Sequence, residues 1–490
     1  MTPPPPTTPH ERVARAFLHD RALATPHTVP RTLGQLTLLP HQESAVAALV
    51  HRLRRYRGAL LADAPGLGKT YTALAVADAL HVARPLVLAP AALRTRWLDA
   101  ARETGTRLRI RSIESLAHAA HADAVPAAPA AREPLVIVDE AHHLRTMATR
   151  RWHAAAALLA DARILLLSAT PLHNRDRDVA TLAALFHVAP GSRDLDRLLR
   201  RITVRRSLAA IRATTPPARQ DALVVPVVAP PRTLALPARD HATLRAIERL
   251  PSLPLDDGPA GDARARLALV HAWCSSTAAL AAMLRRRIAR CHAVESALAA
   301  GVAPHADVLR AYRATDDGTT MQLALPALLA PVASAAAPGT DAIARVTAVH
   351  RIALEALLAR LGPRDDDARA RALARLARWG AAPVVAFTRS RVTARALWRR
   401  LRDHAGVALL TGDEACIASG PVERDELLAM IRAVQAPLGR RVRLLVATDV
   451  ASEGISLAGV RTVVHLDEPW TPARLVQRTG RAARIGALTG

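Results

Sequence analysis

The feature that constrains the fold most is a regular alternation of short apolar runs and helical segments. The apolar runs in the N-terminal part read "GALLAD" (58–63), "PLVLAP" (85–90), "PLVIVDE" (134–140) and "ARILLLSAT" (162–170). Helical patterns lie between them, for example at residues 70–80 and 152–159. Because consecutive parallel strands need a helical crossover, this order predicts an α/β fold with a parallel sheet.

The alternation stops after about residue 190 and returns later in the chain. Residues 240–312 have helical, arginine-rich patterns, and a proline-bearing stretch without charged residues follows at 318–340. Apolar runs then reappear as "PVVAFT" (383–388), "VALLTG" (407–412), "RLLVATD" (443–449) and "TVVHLDE" (462–468). The predicted segments are a proline-rich, disordered lead (1–35), a first lobe (36–205), a helical, arginine-rich insertion and linker (206–345) and a second lobe (346–490).

The net charge points to a polyanionic partner. The chain has 67 Lys and Arg against 42 Asp and Glu, which gives a formal charge of +25. Nucleic acid is the partner that such a charge favours, and an evenly basic, solvated surface is the alternative.

Compartment and membrane attachment follow from other parts of the composition. The three cysteines, Cys274, Cys291 and Cys416, form no CxxC pair, so neither a disulfide framework nor a zinc site is expected, and a cytoplasmic location is predicted. Prolines interrupt the uncharged stretch 318–340, which favours a linker over a membrane span.

The stretch "LADAPGLGKT" (61–70) contains Lys69, the only lysine in the chain. A Gly-x-Gly-Lys-Thr sequence between a strand and a helix lets backbone amides surround a phosphate. Lys69 would then contact the β- and γ-phosphates, and Thr70 would offer its hydroxyl to Mg²⁺. The general pattern has glycine where this chain has Asp63. Two alternative interpretations are therefore kept: a glycine-rich helix start that binds no ligand, and a lysine retained at this position by chance.

A second motif, "VIVDEAHHLR", ends an apolar strand with two adjacent carboxylates. Burying two acids is costly unless a cation or a proton-transfer role compensates. Asp139 is therefore predicted to hold Mg²⁺, and Glu140 to polarise an attacking water. A solvated strand end is the alternative.

Together with "LLLSATPLHNR" and "QRTGRAARIG", these stretches resemble motifs I, II, III and VI of superfamily 2 helicases, in that order. More narrowly, the chain is similar to Swi/Snf-type DNA-translocating ATPases and to their bacterial branch, which includes the RNA-polymerase-recycling ATPase. That family commonly has aspartate at the first position of motif I, which accounts for Asp63. The resemblance implies two RecA-like lobes that bind ATP and Mg²⁺, with a helical insertion between them.

The resemblance also implies roles for individual residues. The nucleotide would be bound by Gln42, Gly66, Gly68, Lys69, Thr70, Gly454 and Gln477, with Gln42 reading the adenine. The catalytic set would be Lys69, Asp139, Glu140, Arg481 and Arg484, the two arginines lying three residues apart on one helix face. Hydrolysis would be coupled to movement through His142, Ser168 and Thr170, and nucleic acid would be contacted by Pro90, Arg94, Trp97 and Thr448.

The resulting hypothesis is an ATP-dependent translocase on duplex DNA. A strand-separating DNA or RNA helicase is the first alternative, because the "SAT" and "QRTGRAAR" motifs are shared with such enzymes. A catalytically silent nucleic-acid-binding subunit of a larger assembly is the second. Two departures from the family bear on this choice: "ARIGA" replaces its usual "HRIGQ", and the second lobe is expected to be cut short at Gly490. The helical insertion is expected to serve as a clamp on DNA or as a docking surface for a protein partner.

Overall fold

The computed structural model describes residues 31–116, 135–168, 181–182, 184–185, 199, 201–214, 228–234, 241–251, 259–300, 340–362, 364–379, 382–432, 441–449, 457, 459–468 and 472–482. The predictions for Thr170, Gly454 and Arg484 lie outside these residues, as do those for the lead up to residue 30 and for nearly all of the uncharged stretch.

The strands and helices follow the order expected from the apolar runs. The described strands are β1 (Thr32–Leu33), β2 (Leu36–Thr37), β3 (Gly58–Leu61), β4 (Leu86–Ala89), β5 (Arg109–Ser112), β6 (Leu135–Val138), β7 (Arg163–Leu167), β8 (Thr203–Val204), β9 (Val384–Thr388), β10 (Val407–Leu410), β11 (Ala415–Ile417), β12 (Gly420–Pro421), β13 (Leu444–Thr448) and β14 (Thr462–His465). The described α-helices are α1 (Pro40–Tyr56), α2 (Lys69–Ala79), α3 (Arg94–Thr104), α4 (Arg150–Leu159), α5 (Leu208–Thr214), α6 (His241–Glu248), α7 (Pro259–Ser275), α8 (Thr277–Ala299), α9 (Thr340–Ala359), α10 (Arg364–Trp379), α11 (Arg391–Leu401), α12 (Arg424–Arg432) and α13 (Pro472–Ala482). Every apolar run singled out above contains one of these strands.

Two six-stranded sheets form the framework. The first has the strand order β5-β4-β6-β7-β3-β8, and all its pairings are parallel. The second has the order β12-β11-β10-β13-β9-β14, in which the two pairings on one side, β12 with β11 and β11 with β10, are antiparallel and the others are parallel. These sheets confirm the predicted α/β class with two RecA-like lobes and helices between them in the chain.

Apolar side chains cover both faces of the first sheet, as expected for a parallel sheet with helices on each side. On one face, helices α1, α2 and α3 bury residues such as Leu49, Leu74 and Trp97. On the other face, α4 packs its Trp152 and Leu159 against the strands. The carboxyl ends of β3 and β6 therefore have fixed positions at one edge of the sheet.

The chain divides into two compact units. Among the described residues, the first unit contains those up to residue 230 together with 457, 459 and helix α13, and the second contains 231–449 and 460–468. Helix α13 thus belongs to the compact unit of the first sheet, although it follows the second sheet in the chain. Among the described helices, none is both long and apolar enough to cross a membrane.

Within the second unit, the helical insertion is joined to its sheet by buried hydroxyl groups. At the junction of α7 and α8, the Ser275 hydroxyl donates to Asp467 Oδ2 at 3.0 Å and lies 2.8 Å from Thr393 Oγ1. The same carboxylate oxygen accepts from Thr388 Oγ1 at 2.6 Å and from the Arg389 amide at 2.9 Å. Asp467 therefore ties the end of α7 to the ends of β9 and β14.

We expect Asp467→Ala to lower the free energy of unfolding by about 1–3 kcal/mol, because it leaves the buried hydroxyls of Ser275 and Thr388 without their acceptor. Thermal unfolding of the whole chain measures the change. The matched control is Glu468→Ala, which removes the exposed neighbouring carboxylate. An equal effect of the two substitutions would contradict this role of Asp467.

Candidate nucleotide site

The loop between β3 and α2 has a backbone that requires glycine. Gly66 and Gly68 have φ angles of 86° and 77°, in the left-handed region that side chains rarely adopt. A Cβ atom on Gly68 would also lie 2.2 Å from Gln42 Nε2. The Gln42 amide is held there by donation to Leu67 O at 3.4 Å and by acceptance from the Leu39 amide at 2.9 Å. The loop is thus shaped by two glycines and supported from α1.

Lys69 is the first residue of α2, and its amine lies inside the curve of this loop. Its Nζ donates to Asp63 O at 2.9 Å and to Ala64 O at 3.3 Å. Burial lowers the pKa of Lys69, while the negative charges of Glu140, Asp63 and Asp139 oppose that shift. The first turn of α2 has no acidic residue, so the amine and the helix dipole together favour an anion at this point.

The two carboxylates of the second motif follow β6 directly. The Asp139 amide donates to Leu88 O at 2.8 Å, which continues the pairing of β6 with β4 and fixes the Asp139 backbone at the carboxyl end of β6. Asp139 Oδ2 accepts from Trp97 Nε1 and Oδ1 accepts from the Glu140 amide, both at 2.9 Å. Burial and the neighbouring charge of Glu140 nevertheless raise the pKa of Asp139.

Glu140 has a left-handed backbone conformation, and the pKa of its side chain is lowered. Its φ and ψ are 46° and 51°, a left-handed conformation that is rare for glutamate. Burial pushes its pKa upward, but His142, whose Nδ1 lies 3.3 Å from Glu140 Oε2, outweighs it together with Arg481 and Lys69 and lowers the pKa to about 2. Glu140 is therefore a carboxylate at neutral pH, as a general base must be.

Helix α13 completes the pocket from the C-terminal part of the chain. Gln477 and Arg481 line the same pocket as the loop 65–70 and the two carboxylates. Gly480 allows this approach, since a Cβ atom there would lie 2.3 Å from Pro65 Cβ. The structure thus brings most of the described residues predicted to bind nucleotide into one pocket.

The residues present fit a magnesium ion that shares its coordination with a phosphate. Thr70 Oγ1 and the Asp139 carboxylate are hard oxygen donors of the type Mg²⁺ prefers. Thr70 is buried in the first turn of α2 and lines the pocket with Asp139. Within the described part of the chain, no three His, Cys, Asp or Glu side chains cluster to hold a metal by themselves.

Because the Trp97 indole orients Asp139, we expect Trp97→Phe to raise the Mg²⁺ concentration needed for tight binding of a fluorescent ATP analogue by about tenfold. The matched control is Trp152→Phe, since Trp152 is buried in the same unit and its indole nitrogen has no hydrogen-bond partner among the described groups. An unchanged Mg²⁺ requirement in Trp97→Phe would contradict this role.

The residues predicted to contact nucleic acid are mostly buried. Trp97 is fully buried and its indole donates to Asp139, and its contact with nucleic acid stays a prediction. Pro90 and Thr448 are also buried, at the ends of β4 and β13, which leaves Arg94 as the member of this group exposed at the surface. The physical reason is that helix α3 turns its apolar face, including Trp97, onto the sheet.

The remaining predicted residues have mixed surroundings. Ser168 is fully buried at the end of β7, and its amide donates to Leu61 O at 3.1 Å. His142 contacts Glu140, consistent with a link to hydrolysis. Both polar ends of the Gln42 amide are bonded within the protein, and its reading of adenine stays a prediction.

Two site residues were missed by the sequence analysis. Arg96 lines the pocket beside Lys69. Arg206 forms an ion pair with Asp63. A usable signal existed for each: Arg96 lies in the same motif as Arg94, and Arg206 lies in the arginine-rich segment "RRITVRRS" (200–207) at the end of the first lobe.

Parts of the chain are similar to known helicases. Residues 371–486 match the family model described as the helicase conserved C-terminal domain. The match includes β9 to β14 and the Arg481 helix, but it covers less than half of the chain.

Individual relatives cover shorter stretches. An uncharacterized ATP-dependent helicase of Bacillus subtilis, YqhH, is 29% identical over 175 residues, which is 32% of this chain and 30% of the relative. The ATP-dependent RNA helicase dbp8 of Aspergillus niger is 48% identical over 64 residues, 13% of this chain and 11% of that protein. The chain therefore spans less than a third of the length of either relative.

The SWI2/SNF2 ATPase core of Sulfolobus solfataricus, solved in complex with dsDNA, aligns over 94% of this chain and 88% of its own with 14% identity and a TM-score of 0.35.

Proposed function

We propose that the chain is an ATP- and Mg²⁺-dependent nucleic-acid motor that translocates along duplex DNA. The observation that carries the proposal is the single pocket containing Lys69, Asp139, Glu140 and Arg481. Its charges are those that phosphoryl transfer requires, because that reaction depends mainly on positioning and on neutralising charge on the phosphate oxygens.

Each group has a part in the proposed hydrolysis. Lys69 and Arg481 bind and neutralise the phosphate oxygens from two sides, and Glu140, ionised at neutral pH, orients the attacking water and accepts its proton. Thr70 and Asp139 would hold Mg²⁺, which would supply positive charge to neutralise the phosphate oxygens. His142 contacts Glu140 and would transmit its state to neighbouring segments.

Two observations support a motor over a silent binding subunit. The pocket retains both a base and positive charges, which a subunit without activity does not need. Residues 371–486 match the helicase conserved C-terminal domain, which supports the presence of the second lobe that a helicase-type motor needs.

The choice of nucleic acid rests on narrower support. Asp63 in motif I favours the Swi/Snf-type branch, and the net charge of +25 favours a phosphate backbone with strongly salt-dependent binding. The short match to a relative named as an RNA helicase favours a strand-separating RNA helicase as the second candidate. A protein partner of the helical insertion stays a prediction.

Steady-state ATP hydrolysis without nucleic acid and with duplex DNA, single-stranded DNA or RNA tests the proposal. We expect the strongest stimulation from duplex DNA, and displacement of a third strand from a DNA triplex without separation of the duplex. Preferential stimulation by RNA or single strands would favour the unwinding helicase instead. Absence of hydrolysis and of nucleotide binding in every condition would refute the motor.

A further inference from the structure

Asp63 is a buried carboxylate at the start of the phosphate loop. It stands where the general loop pattern has glycine, and its side chain is fully buried. A carboxylate in such a place destabilises the fold unless a cation and hydrogen bonds compensate.

Arg206 provides that compensation from a distant part of the chain. Its backbone amide and its Nε donate to Asp63 Oδ1 at 2.9 Å and 3.1 Å, and its Nη2 donates to Asp63 Oδ2. The two side chains thus meet in a two-oxygen fork, the geometry in which guanidinium and carboxylate bind most strongly. The Arg206 side chain is itself only 10% exposed.

The backbone around Arg206 holds the same part of the loop. Strand β8 pairs with β3, and the contact continues beyond both strands, since the Ala62 amide donates to Val204 O at 2.7 Å and the Ala64 amide to Arg206 O at 2.9 Å. Asp63 is therefore fixed through its side chain and through the residues on either side of it.

The held residues are also those that position the Lys69 amine. Lys69 Nζ donates to the carbonyl oxygens of Asp63 and Ala64. A shift of these two residues would move both the carbonyls and the curve of the loop around the phosphate, and misplacement of about 1 Å is enough to lower activity strongly.

We propose that Arg206 is a positioning residue that sets the geometry of the phosphate loop through Asp63. The inference rests on the proposed function for its nucleotide, but the ion pair itself is a property of the nucleotide-free chain. The ion pair makes the geometry of the phosphate loop depend on the segment in which the chain leaves the first sheet.

The test uses Arg206→Met, Asp63→Asn, the double variant, and the conservative Arg206→Lys. We expect Arg206→Met to raise the Kd for a fluorescent ADP and the KM for ATP about tenfold, with a much smaller change in kcat, because it leaves the Asp63 charge buried and unpaired. Arg206→Lys keeps the charge without the fork and should fall between Arg206→Met and the original protein. The double variant should be no worse than Arg206→Met, since its partner is no longer a buried charge. Arg201→Lys, an exposed exchange in the same segment, is the matched control.

Amide hydrogen exchange in the absence of nucleotide gives the second readout. We expect Arg206→Met to speed exchange in peptides covering 62–70 while those covering β6 and β7 stay unchanged. Unchanged exchange in 62–70, or effects of the two single variants on Kd that multiply in the double variant, would overturn the proposal. Amide exchange requires no ATP. If the chain neither binds nor hydrolyses nucleotide, the proposed motor function is refuted, but the exchange result still tests the role of Arg206.

Discussion

Lys69→Arg is expected to lower kcat/KM for ATP by roughly 10²- to 10³-fold, although it preserves the charge. The Lys69 amine is partly buried in the curve of the loop, where it donates to two carbonyl oxygens about 3 Å away. A planar guanidinium is wider than an ammonium and cannot take the same place without displacing the loop. Steady-state hydrolysis with and without duplex DNA measures the loss, and fluorescent-nucleotide binding shows how much of it arises before chemistry.

Two further variants make this result specific. Lys69→Met should be about as inactive as Lys69→Arg, because shape and charge are both required. Arg201→Lys makes the reverse exchange at an exposed position and should retain full activity. Turnover of Lys69→Arg near that of the original protein would mean that the chain kept its single lysine by chance.

Glu140→Gln is expected to lower kcat for ATP hydrolysis by about 10²- to 10⁴-fold while leaving nucleotide affinity within a few-fold of the original. The amide has the shape of the carboxylate but cannot accept the proton of the attacking water. The His142 side chain, whose Nδ1 lies 3.3 Å from Glu140 Oε2, is largely buried beside it. Single-turnover hydrolysis with saturating ATP isolates the chemical step.

The control for Glu140→Gln is Glu426→Gln, which makes the same change at an exposed position of α12. A variant that binds ATP but does not hydrolyse it also supplies a means to measure nucleic-acid affinity in the ATP-bound state. Loss of nucleotide binding in Glu140→Gln equal to its loss of hydrolysis would argue that Glu140 shapes the pocket without acting as a base.

The sequence was most informative where burial is uniform. Strands such as β3, β6 and β13 are buried along their whole length and therefore appear as continuous apolar runs. Strand β5, "RIRS", was not predicted, because it lies at the sheet edge, is half-exposed and has arginine at alternate positions. The two-residue strand β8 is too short to produce any pattern.

For the candidate site, the sequence indicated which residues matter but not how their side chains are directed. Lys69, Asp139, Glu140 and Arg481 could be selected from motifs, and the fold brings them to one pocket. The inward direction of Trp97 depends on how α3 packs on the sheet, which local spacing does not determine. Asp63 and Arg206 are 143 positions apart, so their pairing depends on the position of β8 beside β3.

The left-handed backbone of Glu140 lowers the stability of the fold at a residue that is proposed to act in ATP hydrolysis. Glutamate in this conformation costs on the order of 1 kcal/mol or more relative to glycine, which adopts it freely. If Glu140 is the proposed base, substitutions that make the chain more resistant to heat are thus available at a residue that hydrolysis requires. Selection for thermal stability alone would favour a well-folded chain without a base, whereas selection for ATP turnover keeps the strained glutamate.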